Sequence, residues 1–273
     1  MPTQLNLDLI ETQGLHAGWI GKSGLNKIGP TRRPWPQHRS LVVEYGGKFI
    51  LIDPGLGLFD WVAPVRRLGV GAGRLIASRP RPQTLRPLLE QRGISPDQVT
   101  DVVLSSLRRD VCGAVSDFPH ARVHALCPPR HEQALPQFAH QPQYVPPLEP
   151  KLDWHSFKSR RANLEIASIH LLEMPGHREC QAGVLIESAN GFVLYLNQSI
   201  ASLDELTAPT PPSGLAQWAR LLTETRPFEA LLTRERLRRL IRHPPSALTL
   251  VMSGGPTAQV SVGPTPHPSI GFR

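Results

Sequence analysis

Apolar and polar residues alternate along "QLNLDLIET", residues 4–12, and a period of two predicts a strand with one buried face. Two apolar runs follow in "SLVVEYGGKFILIDPG". This reads as two strands joined at Gly46-Gly47, a dipeptide suited to the positive φ angles of a tight hairpin, with the chain leaving the sheet at Asp53-Pro54-Gly55. In "TLRPLLEQRGISPDQVT" the spacing becomes helical: Leu85, Leu88 and Leu89 form a short stripe, and Gly93 is placed to cap it. "DVVLSS" is then a buried strand and "ARVHAL" another. A helix is predicted from Pro128 through His131 and Ala134, followed by a Pro-rich extended loop over 137–150.

Three more strands follow at "LEIASIHLL", "AGVLIES" and "GFVLYL", the last two turning at Asn190-Gly191. Helical patterns over Leu215–Thr225 and Thr233–Arg242 precede a final strand, "ALTLVM". Beyond Gly254 the chain is rich in Gly, Pro, Ser and Thr. One domain over residues 1–254 and a flexible tail over 255–273 are therefore expected. Strands, a helix, more strands and helices again predict two sheets packed together with helices outside, an α+β arrangement. No G-x-G-x-x-G or Walker loop points to a phosphate cradle.

Composition narrows the function classes. The chain has 273 residues, 40% of them hydrophobic, enough for one full core. It has no apolar run of about 18 residues, and its first residues lack a basic stretch followed by an apolar one. A cytoplasmic location without a membrane partner is expected. Cys112, Cys127 and Cys180 form no C-x-x-C pair, so reduced thiols are expected. The net charge of +8 raises nucleic acid as a partner, but the arginines are scattered in pairs apart from one denser run, "TRERLRRLIRH", and no nucleic-acid motif accompanies them. A solvated basic surface is the better reading.

The chemistry concentrates in "DVVLSSLRRDVCGAV", residues 101–115, a buried strand running into a loop of two serines, two arginines and one acid. With "FILIDPGLG", "DFPHARVHA", "MPGHRECQAGVLIE" and "GFVLYLNQS", this segment resembles the metallo-β-lactamase superfamily, in the branch of the lactonases and glyoxalase II. The likeness covers about residues 4 to 254 in order and spacing. It implies an αββα sandwich of two mixed β-sheets flanked by helices, and a site where five histidines and two aspartates hold two metal ions. Matched position by position, the first histidine falls on Ser106, the second on Arg108, the aspartate on Asp110 and the third histidine on Val111. The histidine of P-G-H is His177. The bridging aspartate falls on Gln198, after Asn197, and the last histidine falls near Gly254.

Only Asp110 and His177 keep ligand chemistry, because zinc needs imidazole, thiolate or carboxylate donors. An arginine at a ligand position adds a permanent cation that repels a metal ion. The expected function is thus a degenerate member of the fold that binds a small anionic ligand or a protein partner in the former cleft. Arg108, Ser106, Asn197 and Gln198 are its candidate contacts, and no cofactor is needed. Three rearrangements stay open. Arg108 or Arg109 could pair with Asp110, as ion pair alone or as anion site. Ser106 and His177 could form a nucleophile and base, although serine is short for that reach. Asp110, Cys112, His177 and Cys180 could hold a single zinc ion. The last two lead to the rival expectation, a remodelled lactone or thioester hydrolase in which His177 and Asp110 are catalytic. Homo-oligomerisation is compatible with either.

Overall fold

The computed structural model describes residues 5–13, 20–21, 24–25, 37–68, 84–126, 154–156, 161–164, 169–176, 181–188, 191–197, 200, 206, 224–244, 247–254, 259–262 and 271–272. Within them, 109–110 and several short strands are described by backbone path alone. In chain order the elements are β1 (Asn6–Gln13), β2 (Ile20–Gly21), β3 (Gly24–Leu25), β4 (Gln37–Tyr45), β5 (Lys48–Ile52), α1 (Leu58–Val62), α2 (Pro64–Leu68) and α3 (Leu85–Gln91). Next come β6 (Val99–Val103), α4 (Arg109–Cys112), β7 (Arg122–Ala125), β8 (Trp154–Ser156), β9 (Arg161–Leu164), β10 (Ile169–Glu173), β11 (Ala182–Ser188) and β12 (Gly191–Leu196). The last are α5 (Pro227–Arg242), β13 (Leu248–Met252), β14 (Gln259–Val262) and β15 (Gly271–Phe272).

The strands form two mixed sheets, with β2 and β3 pairing separately. The first runs β15-β1-β4-β5-β6-β7-β8 and the second β14-β13-β12-β11-β10-β9. β4 and β5 are an antiparallel hairpin in which Gly46 and Gly47 both take positive φ. β5 to β8 are parallel. Parallel neighbours need long crossovers, and α1 to α4 lie in those connections. The second sheet is antiparallel except where β13, arriving after α5, lies parallel to β12.

Period-two alternation builds three apolar layers. Leu41, Val43, Ile50, Ile52 and Val103 meet Ile169, Leu171, Val184, Val193, Tyr195 and Val251 between the sheets. Their neighbours Val42, Leu51 and Val102 face outward onto Leu68, Leu85, Leu89 and Phe118. On the other side Leu194, Leu196, Leu250 and Met252 pack under Leu237 of α5. The αββα expectation therefore holds.

Several boundaries differ from expectation. "LEIASIHLL" is not one strand: it begins on Leu164, the last residue of β9, and continues on β10, and the two strands pair antiparallel with Leu164 opposite Ile169. The last helix begins at Pro227, six residues before the predicted start, because proline suits the first helical turn. Past Gly254, where a tail was expected, β14 extends the second sheet beside β13 and β15 pairs with β1. The helices expected from Pro128 and over 215–223 lie outside the described residues. Among the described residues no helix is long and apolar enough to cross a membrane.

Candidate functional site

β5, β6, β12 and β13 end together at one edge of the sandwich, and the chain turns there under constraint. Asp53, directly after β5, has a φ of 49°, a left-handed conformation that aspartate tolerates better than most residues. Its amide donates to Val103 O at 3.0 Å. Its carbonyl accepts from His38 Nε2 at 2.7 Å and from Ser40 Oγ at 2.8 Å. The carboxylate is fully buried, so its charge requires donors. Ser105 supplies two: its amide reaches Asp53 Oδ1 at 2.7 Å and its hydroxyl donates to Oδ2.

The bonds continue into the second sheet. Asn197 Nδ2 donates to Ser105 Oγ at 2.6 Å, and Gln181 Nε2 donates to Asn197 Oδ1. Ala182 N donates to Ser105 O at 2.7 Å. Every side-chain donor in this buried row points toward Asp53, so the carboxylate polarises a chain of neutral groups that locks the two sheets at this edge. Tyr195 lies close by, donating to Arg39 O at 2.6 Å. Burial, and then the Asp53 charge, push its phenol well above its ordinary pKa, so it stays a neutral donor.

Two polar atoms beside this row have no partner among the described residues: Ser106 Oγ and Gln181 Oε1, both on residues 1% exposed. Unpaired buried polar atoms are costly, and they mark where a ligand or water gains most. Arg108 stands half-buried at the N-cap of α4, and its carbonyl accepts from Val111 and Cys112.

A charged cluster fixes the loop from below. Gly55 and Val111 are joined at 3.1 Å, and Ala114 N returns to Gly55 O at 2.8 Å. Buried Asp60 accepts from Gly57 N at 2.8 Å and pairs with Arg67 at 2.9 Å, while Arg67 also reaches Gly113 O at 3.2 Å. A Cβ on Gly113 would lie 2.1 Å from Asp60 Oδ2, which is why glycine stands there. Asp117 accepts from Leu58 N at 2.9 Å. Burial, against that bond and together with the Asp60 charge, pushes its pKa up to about 6 despite Arg86 and Arg67.

On the opposite side the β10–β11 loop is seated on α5. Gly176 has a φ of 121°, and a Cβ there would fall 1.9 Å from Ala230 N. Arg226 N donates to Gly176 O at 2.9 Å, and Thr233 Oγ1 donates to Pro175 O at 2.8 Å.

Of the expected site residues, Ser106 and Arg108 stand on the loop after β6. Asn197 is buried with both amide atoms bonded inside the protein, so it bridges the sheets. His177, Gln198, Cys180 and the side chains of Arg109 and Asp110 lie outside the described residues. Asp53, Ser105 and Gln181 were not singled out from sequence. The signal was the acid ending "FILID", one strand away from a serine ending "DVVLS".

Of the positions the resemblance matches to metal ligands, the described side chains Ser106, Arg108 and Val111 offer no imidazole, thiolate or carboxylate. Val111, at the third histidine position, is 2% exposed and packed among Leu107, Cys112 and Ala114. Ser106 offers one hydroxyl and Arg108 a cation. Among the described residues no three His, Cys, Asp or Glu side chains form a metal-binding group.

No protein-family profile matches the chain. Two curated proteins, each named a probable metallo-hydrolase, from Mycobacterium tuberculosis and Mycobacterium bovis, are 29% identical over 171 residues. The match takes in 57% of this chain and 54% of theirs, so the chain spans about half the length of the curated relatives it matches. Among solved structures, a probable metal-dependent hydrolase from Staphylococcus aureus superposes with a TM-score of 0.65 at 12% identity, covering 96% of this chain and 94% of that one. An N-acyl homoserine lactone hydrolase, with N-hexanoyl-L-homoserine at its catalytic metal center, superposes with a TM-score of 0.60 at 18% identity, covering 89% and 90%. AidC, a dizinc quorum-quenching lactonase, does so with a TM-score of 0.56 at 15% identity, covering 98% and 97%.

Proposed function

From a chain that has the metallo-β-lactamase fold, we propose that it binds a small anionic ligand at the old metal cleft without running two-metal hydrolysis. The observation carrying this is the loop after β6. It buries Val111 where a ligand is required, buries Ser106 Oγ without a partner among the described residues and carries Arg108, half-buried, two residues further on. A guanidinium and a hydroxyl suit a carboxylate or phosphate, the guanidinium through charge-assisted bonds and the hydroxyl as a second donor. A protein partner presenting an acidic side chain satisfies the same groups. Titration calorimetry with short carboxylates and phosphate esters tests the proposal: binding lost in Arg108→Gln supports it, and binding unchanged in that variant contradicts it.

A remodelled hydrolase is the second reading, favoured by the metallo-hydrolase names of the sequence relatives and by the lactonase structures. At 18% identity the structural likeness carries the fold alone. In this reading one zinc ion, or His177 without metal, activates water against a lactone or thioester. A panel of such substrates with wild type and His177→Ala separates the readings: activity that vanishes in the variant supports the hydrolase.

A further inference from the structure

The outward face of α5 is not uniformly polar. Residues 228, 231, 232, 235, 236, 239 and 242 are exposed, at the three- and four-residue spacing of one helical face. The first three are Phe228, Leu231 and Leu232, exposed by 84%, 53% and 58%. Arg226 precedes them, with Arg236, Arg239 and Arg242 after. The inward face, Ala230, Thr233, Arg234 and Leu237, is buried on the second sheet, so the helix does not need its apolar outer triplet for folding.

The geometry points to docking of this face on an anionic lipid surface, Phe228, Leu231 and Leu232 entering the boundary between headgroups and acyl chains while the arginines meet the headgroups. Two quantities select that occupant. Three such side chains present on the order of 300 Å², well short of the roughly 800 Å² that each partner buries in a stable protein complex. For an interfacial helix, a few inserted apolar residues plus basic neighbours suffice. Charge selects against a second copy of the chain, which carries +8 itself. A nucleic acid would use the arginines but gain nothing from an exposed phenylalanine and two leucines. Glu229 and Glu235 do not oppose the surface strongly, being paired with Arg226 and Arg238 at 3.3 and 3.4 Å.

The placement bears on the site whichever ligand it takes. The turn of α5 carrying the triplet also bonds Pro175 and Gly176, immediately before His177. Docking there leaves α5 between the cleft edge and the lipid.

Flotation of the full chain tests the inference, using vesicles of phosphatidylcholine and vesicles of an equal mixture with phosphatidylglycerol. The wild type is expected to float with the mixture and not with phosphatidylcholine alone. Phe228→Ser with Leu231→Ser and Leu232→Ser is expected to lower the partition about tenfold or more. Arg236→Gln and Arg239→Gln each lower it about fivefold. An unchanged unfolding midpoint shows that the variants fold, since all five residues are exposed. No flotation of the wild type overturns the inference. So does flotation unchanged in the triple variant but abolished by salt and equally by duplex DNA, which is bare charge attraction. A wild-type dimer that the triple variant converts to monomer without altering flotation assigns the face to a second copy instead.

Discussion

Ser105 and Asp53 are joined twice across the ends of β5 and β6, backbone amide to Oδ1 at 2.7 Å and hydroxyl to Oδ2. Through Asn197 and Gln181 this pair links a fully buried carboxylate to the opposite sheet. It lies one residue from the inward hydroxyl of Ser106, so the rigidity of the cleft rests on it.

Ser105→Ala takes one hydrogen bond from Asp53 Oδ2 and one from Asn197 Nδ2. A loss of about 1–3 kcal/mol is expected, more if the charge finds no water. Urea unfolding measures it: the midpoint falls in Ser105→Ala and recovers in Ser105→Thr. A change within about 0.5 kcal/mol, the scale of ordinary surface substitutions, removes the row of bonds as a stabilising element.

Gly176→Ala places a Cβ 1.9 Å from Ala230 N on a backbone with φ of 121°. Left-handed strain alone costs about 1–3 kcal/mol, and backbone on both sides of the contact leaves no flexible side chain to yield. The thermal midpoint is expected to fall by more than in Gly93→Ala, where φ is 77° but nothing lies within 4 Å. Equal losses at the two positions would show that the β10–β11 loop is not seated tightly on α5.

Asp117 gives a pH dependence of defined sign. Its folded pKa of about 6 stands above the ordinary aspartate value of 3.8, so the folded protein holds the proton more tightly. The associated stability is complete below pH about 4 and is lost as pH rises through about 6. Asp117→Asn keeps an oxygen for Leu58 N without the charge. Relative to wild type it is expected to gain on the order of 2 kcal/mol at pH 7.5 and little at pH 4. A variant less stable than wild type at both pH values contradicts the burial of the charge.

Much of the fold was legible because period-two alternation survives wherever a sheet is covered on one side and bare on the other. Leu41-Val42-Val43 and Ile50-Leu51-Ile52 are apolar throughout because both faces of these strands are covered, and Gly46-Gly47 marked the hairpin between them. "LEIASIHLL" misled because it joins the last residue of β9 to β10, and Arg161-Ala162-Asn163 before it carry no apolar run to mark the antiparallel partner. The tail misled because β14 and β15 are short edge strands, and β15 pairs non-locally with β1. At the site, Ser106, Arg108 and Val111 could be named from the resemblance, while the Asp53–Ser105–Asn197–Gln181 row could not. It joins positions up to 144 apart in the chain, Asp53 to Asn197, and no spacing rule connects them.

Metal content bears most directly on the central claim. Protein purified without chelator and analysed by plasma mass spectrometry is predicted to carry far less than one zinc, iron or manganese ion per chain, and to keep its unfolding midpoint after treatment with EDTA. About two ions per chain, with a midpoint that falls when they are stripped, would contradict the account that Val111, Arg108 and Ser106 have replaced a two-metal centre.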